Sequence, residues 1–151
     1  MYLVAIPKRD AEYMKVRDAV ESDSERIQDL VTQLGHPLGV DCDRFGSFFI
    51  SVLSDDNQIV LVVEDEGEVL GYVSTRIHTP LYAQSKAAFI DEIVIDEKRR
   101  GEGIGSMLMK SLEKRASDEG CVLCSLATAG AKVFYEGLGY GGRATYLKRS
   151  L

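Results

Sequence analysis

The sequence predicts a mixed α/β fold, a layer of strands with helices packed against it. Three observations carry that expectation. Strand-like and helix-like patterns alternate in the order β-α-α-β-β-β-α-β-α-β, which is not a repeated βαβ winding. One strand-like run, "AAFIDEIVID" (87–96), passes through a glycine-rich stretch straight into a helical pattern. No internal repeat, low-complexity tract or Pro/Gly/Ser-rich linker divides the 151 residues, so one domain is expected over 1–151, with 1–12 an extension whose structure the pattern leaves open.

Taken in order, "EYMKVRDA" (12–19) reads as the first strand. Asp23 or Ser22 then caps a helix through "SERIQDLVTQLG", whose Ile27, Leu30, Val31 and Leu34 form one apolar stripe that Gly35 ends. The polar loop "HPLGVDC" leads to a shorter helix, "DRFGSFFISVLS" (43–54). Two strands, 58–64 and 68–77, flank Asp65-Glu66-Gly67, a turn signal that makes them a hairpin. After the strand at 87–96, Ile104, Leu108, Leu112 and Ala116 repeat every four residues, a helix with Gly120 behind it. "CVLCSLA" is a further strand, "AGAKVFYEGLG" a short helix and "GRATYLKRSL" a closing strand.

Composition excludes several functions. The formal net charge of −6 argues against a nucleic-acid binder, which would carry a basic face. No apolar run approaches the roughly 18 residues of a membrane span, and "MYLVAIPKRD" lacks the features of a secretory leader, so the cytoplasm is the expected location. Cys121 and Cys124 form a C-x-x-C, but residues three apart on a strand face opposite sides of a sheet. His36 and His78 lie far off in sequence, and no metal site is expected.

The informative stretch is "DEKRRGEGIG" (96–105), three glycines at alternate positions behind two arginines. A strand running through glycines into a helix suits a phosphate group, because unpaired N–H groups and the positive helix end face the anion and glycine lets it approach. The dinucleotide fingerprint fails, since Ser106 stands where glycine or alanine is needed; the P-loop fails for want of Gly-Lys-Ser/Thr. What remains is an R-x-x-G-x-G from Arg100 to Gly105.

This segment resembles the pyrophosphate-binding loop of the GCN5-related N-acetyltransferase (GNAT) superfamily. The resemblance runs over roughly 13–151: "IDEIVIDEKRRGEGIGSMLM" looks like the family's fourth strand, phosphate loop and third helix, and "VFYEGLGY", about 30 residues on, resembles its F-Y-E-K-L-G-F segment. It implies an acyl-CoA N-acyltransferase fold, a mostly antiparallel central sheet flanked by helices. It further implies acetyl-CoA as the acetyl donor, an amine acceptor, no metal, and a homodimer. By the same resemblance, Arg100, Gly101, Glu102, Gly103, Ile104, Gly105 and Ser106 wrap the pyrophosphate, while the backbone of Ile93, Val94 and Ile95 pairs with the pantetheine arm and thioester. The family's usual asparagine six residues before the F-Y pair is replaced by Thr128, whose hydroxyl would take over its contact with that arm.

Transfer from a thioester to an amine needs a proton acceptor for an ammonium of pKa near ~10.4, a donor to the carbonyl oxygen, and a proton donor to the leaving thiolate. The resemblance gives Tyr135 the last role. Asp91 and Glu92, which interrupt an apolar strand, are the candidates for binding the amine or relaying its proton through water, with the preference on Glu92. The expected function is direct acetyl transfer to the primary amine of a small cationic molecule. The alternatives are transfer to a protein N-terminus or lysine, and a non-catalytic acyl-CoA-binding module.

Overall fold

A computed structural model describes residues 14–142 and 144–151. Five strands form one sheet in sequence order: β1 (Met14–Asp18), β2 (Gln58–Asp65), β3 (Glu68–His78), β4 (Lys86–Ile95) and β5 (Cys121–Leu126). The first four pair antiparallel, and β4 with β5 is the parallel pair. This is the mixed, mostly antiparallel sheet that the sequence predicts. The β2–β3 turn forms where expected, with Glu66 and Gly67 both at positive φ, the geometry a two-residue hairpin needs.

Helices cover both faces. On one side lie α1 (Ser24–Thr32) and α2 (Cys42–Leu53), burying Ile27, Leu30 and Phe49 against Val60, Val62, Tyr72 and Val94. Asp41 caps α2 by accepting the N–H groups of Asp43 and Arg44. On the other side α3 (Ile104–Asp118) buries the whole predicted stripe, Ile104, Leu108, Leu112 and Ala116, together with Met109. Burying each such Leu or Ile contributes about 1.5–3 kcal/mol. A short α4 (Lys132–Gly137) follows β5.

A bulge in β4 decides which way Glu92 faces. Thr75 of β3 faces Ile90, but Ser74 faces Glu92, so Asp91 is one residue too many. An extra residue reverses the alternation of side chains. Ile90 packs on the α3 face and so do Ile93 and Ile95, whereas Val94 packs under α1 and α2. Without the bulge Glu92 would share the face of Ile90; with it, Glu92 turns to the side of Tyr72.

Three expectations need correction. Leu34 lies beyond the end of α1 and is exposed, because the helix stops at Thr32. Asp23 precedes α1, but its carboxylate accepts from Arg17 and from the Val20 N–H instead of capping the helix. The closing strand over 142–151 is absent among the described residues, which are exposed there and carry no ladder. Tyr146 and Leu147 are adjacent, so a strand would point them to opposite faces and bury neither set well. Residues 12 and 13 of the expected first strand, and the extension before them, lie outside the described residues.

Arg17 on β1 ties the sheet to the turn before α1, donating to both oxygens of Asp23 and to Glu64. Its hydrogen bonds hold the Asp23 carboxyl below the ordinary range against the opposing effect of burial. Glu64 is lowered by Lys15 and then Arg17, and Asp96 by the Lys98 N–H and then Arg26. Carboxyls depressed in the folded state add stability above their unfolded values of about 4, and that stability is lost as pH falls through the lower folded values. The melting midpoint is therefore expected to hold from pH 7 to pH 5 and to fall below about pH 4. Arg17→Met should lower it at pH 7 by the equivalent of about 1–3 kcal/mol, since it strands the buried Asp23, and should flatten the acid limb. Parallel melting curves for parent and variant across pH would contradict this.

Candidate active site

The end of β4, the glycine loop, the start of α3 and the short α4 enclose a cleft of about 550 Å³. Its floor is set by where a ladder stops. The parallel pairing of β4 with β5 ends at Ile90–Leu126, but β4 runs on to Ile95, so residues 91–95 have an edge that β5 does not cover. Ile93, Val94 and Ile95 line the cleft along this edge. Val94 is buried under α1 and α2, while Ile93 and Ile95 are partly buried against the α3 core, with their backbone along the uncovered edge. On the opposite side of β4, Gly71 of β3 lets the two strands pack closely: a Cβ there would lie 2.7 Å from both the Ile95 Cδ1 and the Val94 carbonyl oxygen.

The loop forms the next wall. A single helical turn at Glu97–Arg99 is capped by Asp96, which accepts the Lys98 N–H. Gly101 and Gly103 then both adopt φ near +82°, and α3 starts at Ile104. None of the backbone N–H groups from Gly101 to Ser106 finds an acceptor among the described residues; the first that does is Met107, bonded to the Gly103 carbonyl. Left-handed glycines beside a helix start turn consecutive amides toward one point, an arrangement that binds oxyanions.

Two arginines flank these amides. Arg99 donates to Glu102 and to Asp65. Arg100 uses its Nε on the Ile95 carbonyl and has no carboxylate partner among the described residues, leaving its outer nitrogens for an anion. The Glu102 carboxylate accepts from Arg99 Nε, and the residue is not among those lining the cleft.

Tyr135 and Phe134 close the cleft from α4. The Tyr135 ring meets Phe134 edge-on at 5.0 Å and Tyr140 at 6.0 Å, which fixes its plane. Its hydroxyl makes no hydrogen bond to a described residue, and burial pushes the phenol above its ordinary value, so it keeps its proton at neutral pH. Phe134 packs tightly on the helix start, 3.3 Å from where a Gly105 Cβ would sit.

Asp91 and Glu92 stand just before the lining segment and differ in their partners. Asp91 is exposed and held by Arg76, 2.9 Å from its Nη2. Glu92 is half-buried, accepts from the Tyr72 hydroxyl through Oε2 and pairs with no cation among the described residues. Thr128 does not line the cleft; its hydroxyl accepts the Ala131 N–H at the start of α4.

Sequence reasoning missed Gln33 and Leu34, which line the cleft mouth from the end of α1, and Phe134. Leu34 continues the apolar period of α1, so the sequence pattern assigned it to the core stripe and carried no signal for the cleft. A separate depression lies between the connection from Thr79 to Lys86 and Glu119 and Gly120, at the far end of α3. Fifteen helical residues separate the two by about 22 Å. Among the described residues no His, Cys, Asp or Glu cluster could hold a metal ion, and no helix is long and apolar enough to cross a membrane.

Comparison with known proteins gives a consistent result. The model of the acetyltransferase (GNAT) family matches residues 23–140. The chain is 27% identical over 133 residues to a probable glucosamine 6-phosphate N-acetyltransferase of Drosophila melanogaster, covering 85% of this chain and 61% of that one, so it spans somewhat under two thirds of that protein's length. It is 28% identical over 114 residues to an aminoalkylphosphonate N-acetyltransferase of Salmonella typhimurium, covering 76% and 73% of the two chains. The solved structure of glucosamine-6-phosphate N-acetyltransferase from Arabidopsis thaliana matches with a TM-score of 0.80 at 26% identity, covering 91% of this chain and 97% of that one.

Proposed function

Since the chain belongs to the acetyltransferase (GNAT) family, we propose that it transfers an acetyl group from acetyl-CoA directly to the primary amine of a small molecule. The observation that carries this reading is the row of free amides from Gly101 to Ser106 at the end of a strand with an uncovered edge, with Tyr135 in the same cleft. The residues fit the coenzyme: consecutive N–H groups and Arg100 suit its pyrophosphate, and the open backbone of Ile93 and Ile95 suits its amide-bearing arm.

In this reading the amine nitrogen attacks the thioester carbonyl, the C–N bond forms and the C–S bond breaks. An N–H of the β4 edge stabilises the charge that gathers on the carbonyl oxygen. Tyr135 donates its hydrogen bond to the departing thiolate. A phenol above 10 facing a thiol near 8.5 gives up its proton uphill, so its help comes as a hydrogen-bond donor, and the thiolate takes its proton from water as CoA leaves. Glu92 takes the amine's proton through water and Asp91, committed to Arg76, does not.

A protonated amine makes the acceptor cationic at its reacting nitrogen. The glucosamine 6-phosphate and aminoalkylphosphonate N-acetyltransferases that the chain resembles act on phosphorus-bearing amines, which supports an acceptor that also bears a phosphorus oxyanion. The test follows release of free CoA thiol across glucosamine 6-phosphate, aminoalkylphosphonates, polyamines, aminoglycosides, amino acids and N-terminal peptides. Release with one class of small amine, at least about tenfold above the rest, is expected. Release with peptides alone would move the reading to protein acetylation, and coenzyme binding without release on any amine would replace it with a binding module.

A further inference from the structure

Among the described residues, Tyr72 is the one large polar side chain driven fully into the α1–α2 face of the sheet. It is 2% exposed, on β3, surrounded by Ile27, Leu30, Phe49 and Val94. A buried hydroxyl needs a partner, and it has one, the Oε2 of Glu92. The β4 bulge at Asp91 makes that meeting possible, because it turns Glu92 from the α3 face to the face of Tyr72. Oε1 of Glu92 has no partner among the described residues. A phenylalanine at 72 would fill the apolar pocket equally well, so packing alone does not account for the hydroxyl.

We propose that Tyr72 is a positioning residue for the transfer reaction: its hydroxyl holds one oxygen of Glu92 so that the other is presented to the acceptor amine or its relay water. This rests on the reading of Glu92 as the proton acceptor. Carboxylates left free on a strand edge rotate among rotamers, and fixing one oxygen leaves the second pointing one way. Burial keeps the Tyr72 phenol far above its ordinary range, so it remains a donor throughout the working pH.

The experiment is a double-mutant cycle of Tyr72→Phe and Glu92→Gln. It uses the amine that supports thiol release across the acceptor panel, glucosamine 6-phosphate first, at about pH 9 where more of the amine is free base. Tyr72→Phe is expected to lower kcat roughly 10- to 100-fold, the loss that a misplaced catalytic group produces, with the acetyl-CoA dissociation constant unchanged. In the Glu92→Gln background the same change is expected to have no further effect. Equal slowing in both backgrounds, or no slowing in the parent, would overturn the positioning role while leaving Glu92 in place. A Glu92→Gln enzyme as fast as the parent would instead sink the assignment of Glu92 and the inference with it.

Discussion

Gly103→Val is expected to weaken acetyl-CoA binding about 100-fold or more while leaving the fold intact. No atom lies within 4 Å of the position a Cβ would take at Gly103, so there is no clash to relieve. The penalty is in the backbone. At φ +82° and ψ 5° an L-residue pays about 1–2 kcal/mol, and a β-branched one more. The loop escapes by rotating out of that conformation, and the amides of Gly103 and Ile104 turn away with it. A hydrogen bond to a charged group is worth about 1.5–3 kcal/mol, so losing two of them exceeds the roughly 2.7 kcal/mol that a 100-fold change requires. Titration calorimetry with acetyl-CoA reads this directly. Glu102→Ala is the matched control: its carboxylate is committed to Arg99 and the residue does not line the cleft, so binding should change by no more than about threefold. A Gly103→Val protein that binds like the parent would remove the loop from the site.

Tyr135→Phe is expected to lower kcat about 100-fold, within the range for removing one hydrogen-bond donor to a developing negative charge, with the acetyl-CoA KM and the melting midpoint nearly unchanged. The ring does the packing, against Phe134 and Tyr140, and phenylalanine preserves it. The hydroxyl has no described partner to strand. What disappears is the hydrogen bond that stabilises the thiolate as the C–S bond breaks, an interaction made in the transition state and not in the ground state, which is why kcat falls and KM does not. Steady-state kinetics with the acceptor amine saturating checks it. An unchanged kcat would leave Tyr135 as a core aromatic.

How much of this was legible in the sequence depended on the range of the forces involved. The α3 stripe and the glycine loop were readable because both are local: a four-residue apolar period fixes one helix face, and glycines at alternate positions fix a backbone. The end of α1 was less so, since Leu34 continues the periodicity although its side chain faces the cleft mouth. The choice between Asp91 and Glu92 could not be made from neighbours in sequence. It turns on a one-residue bulge and on Tyr72 and Arg76, 20 and 15 residues upstream, which give one carboxylate a phenol and the other a guanidinium. The final segment had strand-like residue types without a buried face to reward them, and its described residues form no strand.

In the proposed reading the amides from Gly101 to Ser106 and the free edge of β4 together hold the coenzyme. Amide ¹H–¹⁵N spectra recorded while CoA is added test it most directly. The signals of Gly103, Ile104, Gly105, Ser106, Ile93 and Ile95 are expected to shift together along one saturation curve, while those of Leu81, Gln84 and Gly120, around the depression at the far end of α3, stay in place. Shifts confined to that far depression, or saturation without movement of the loop amides, would contradict it.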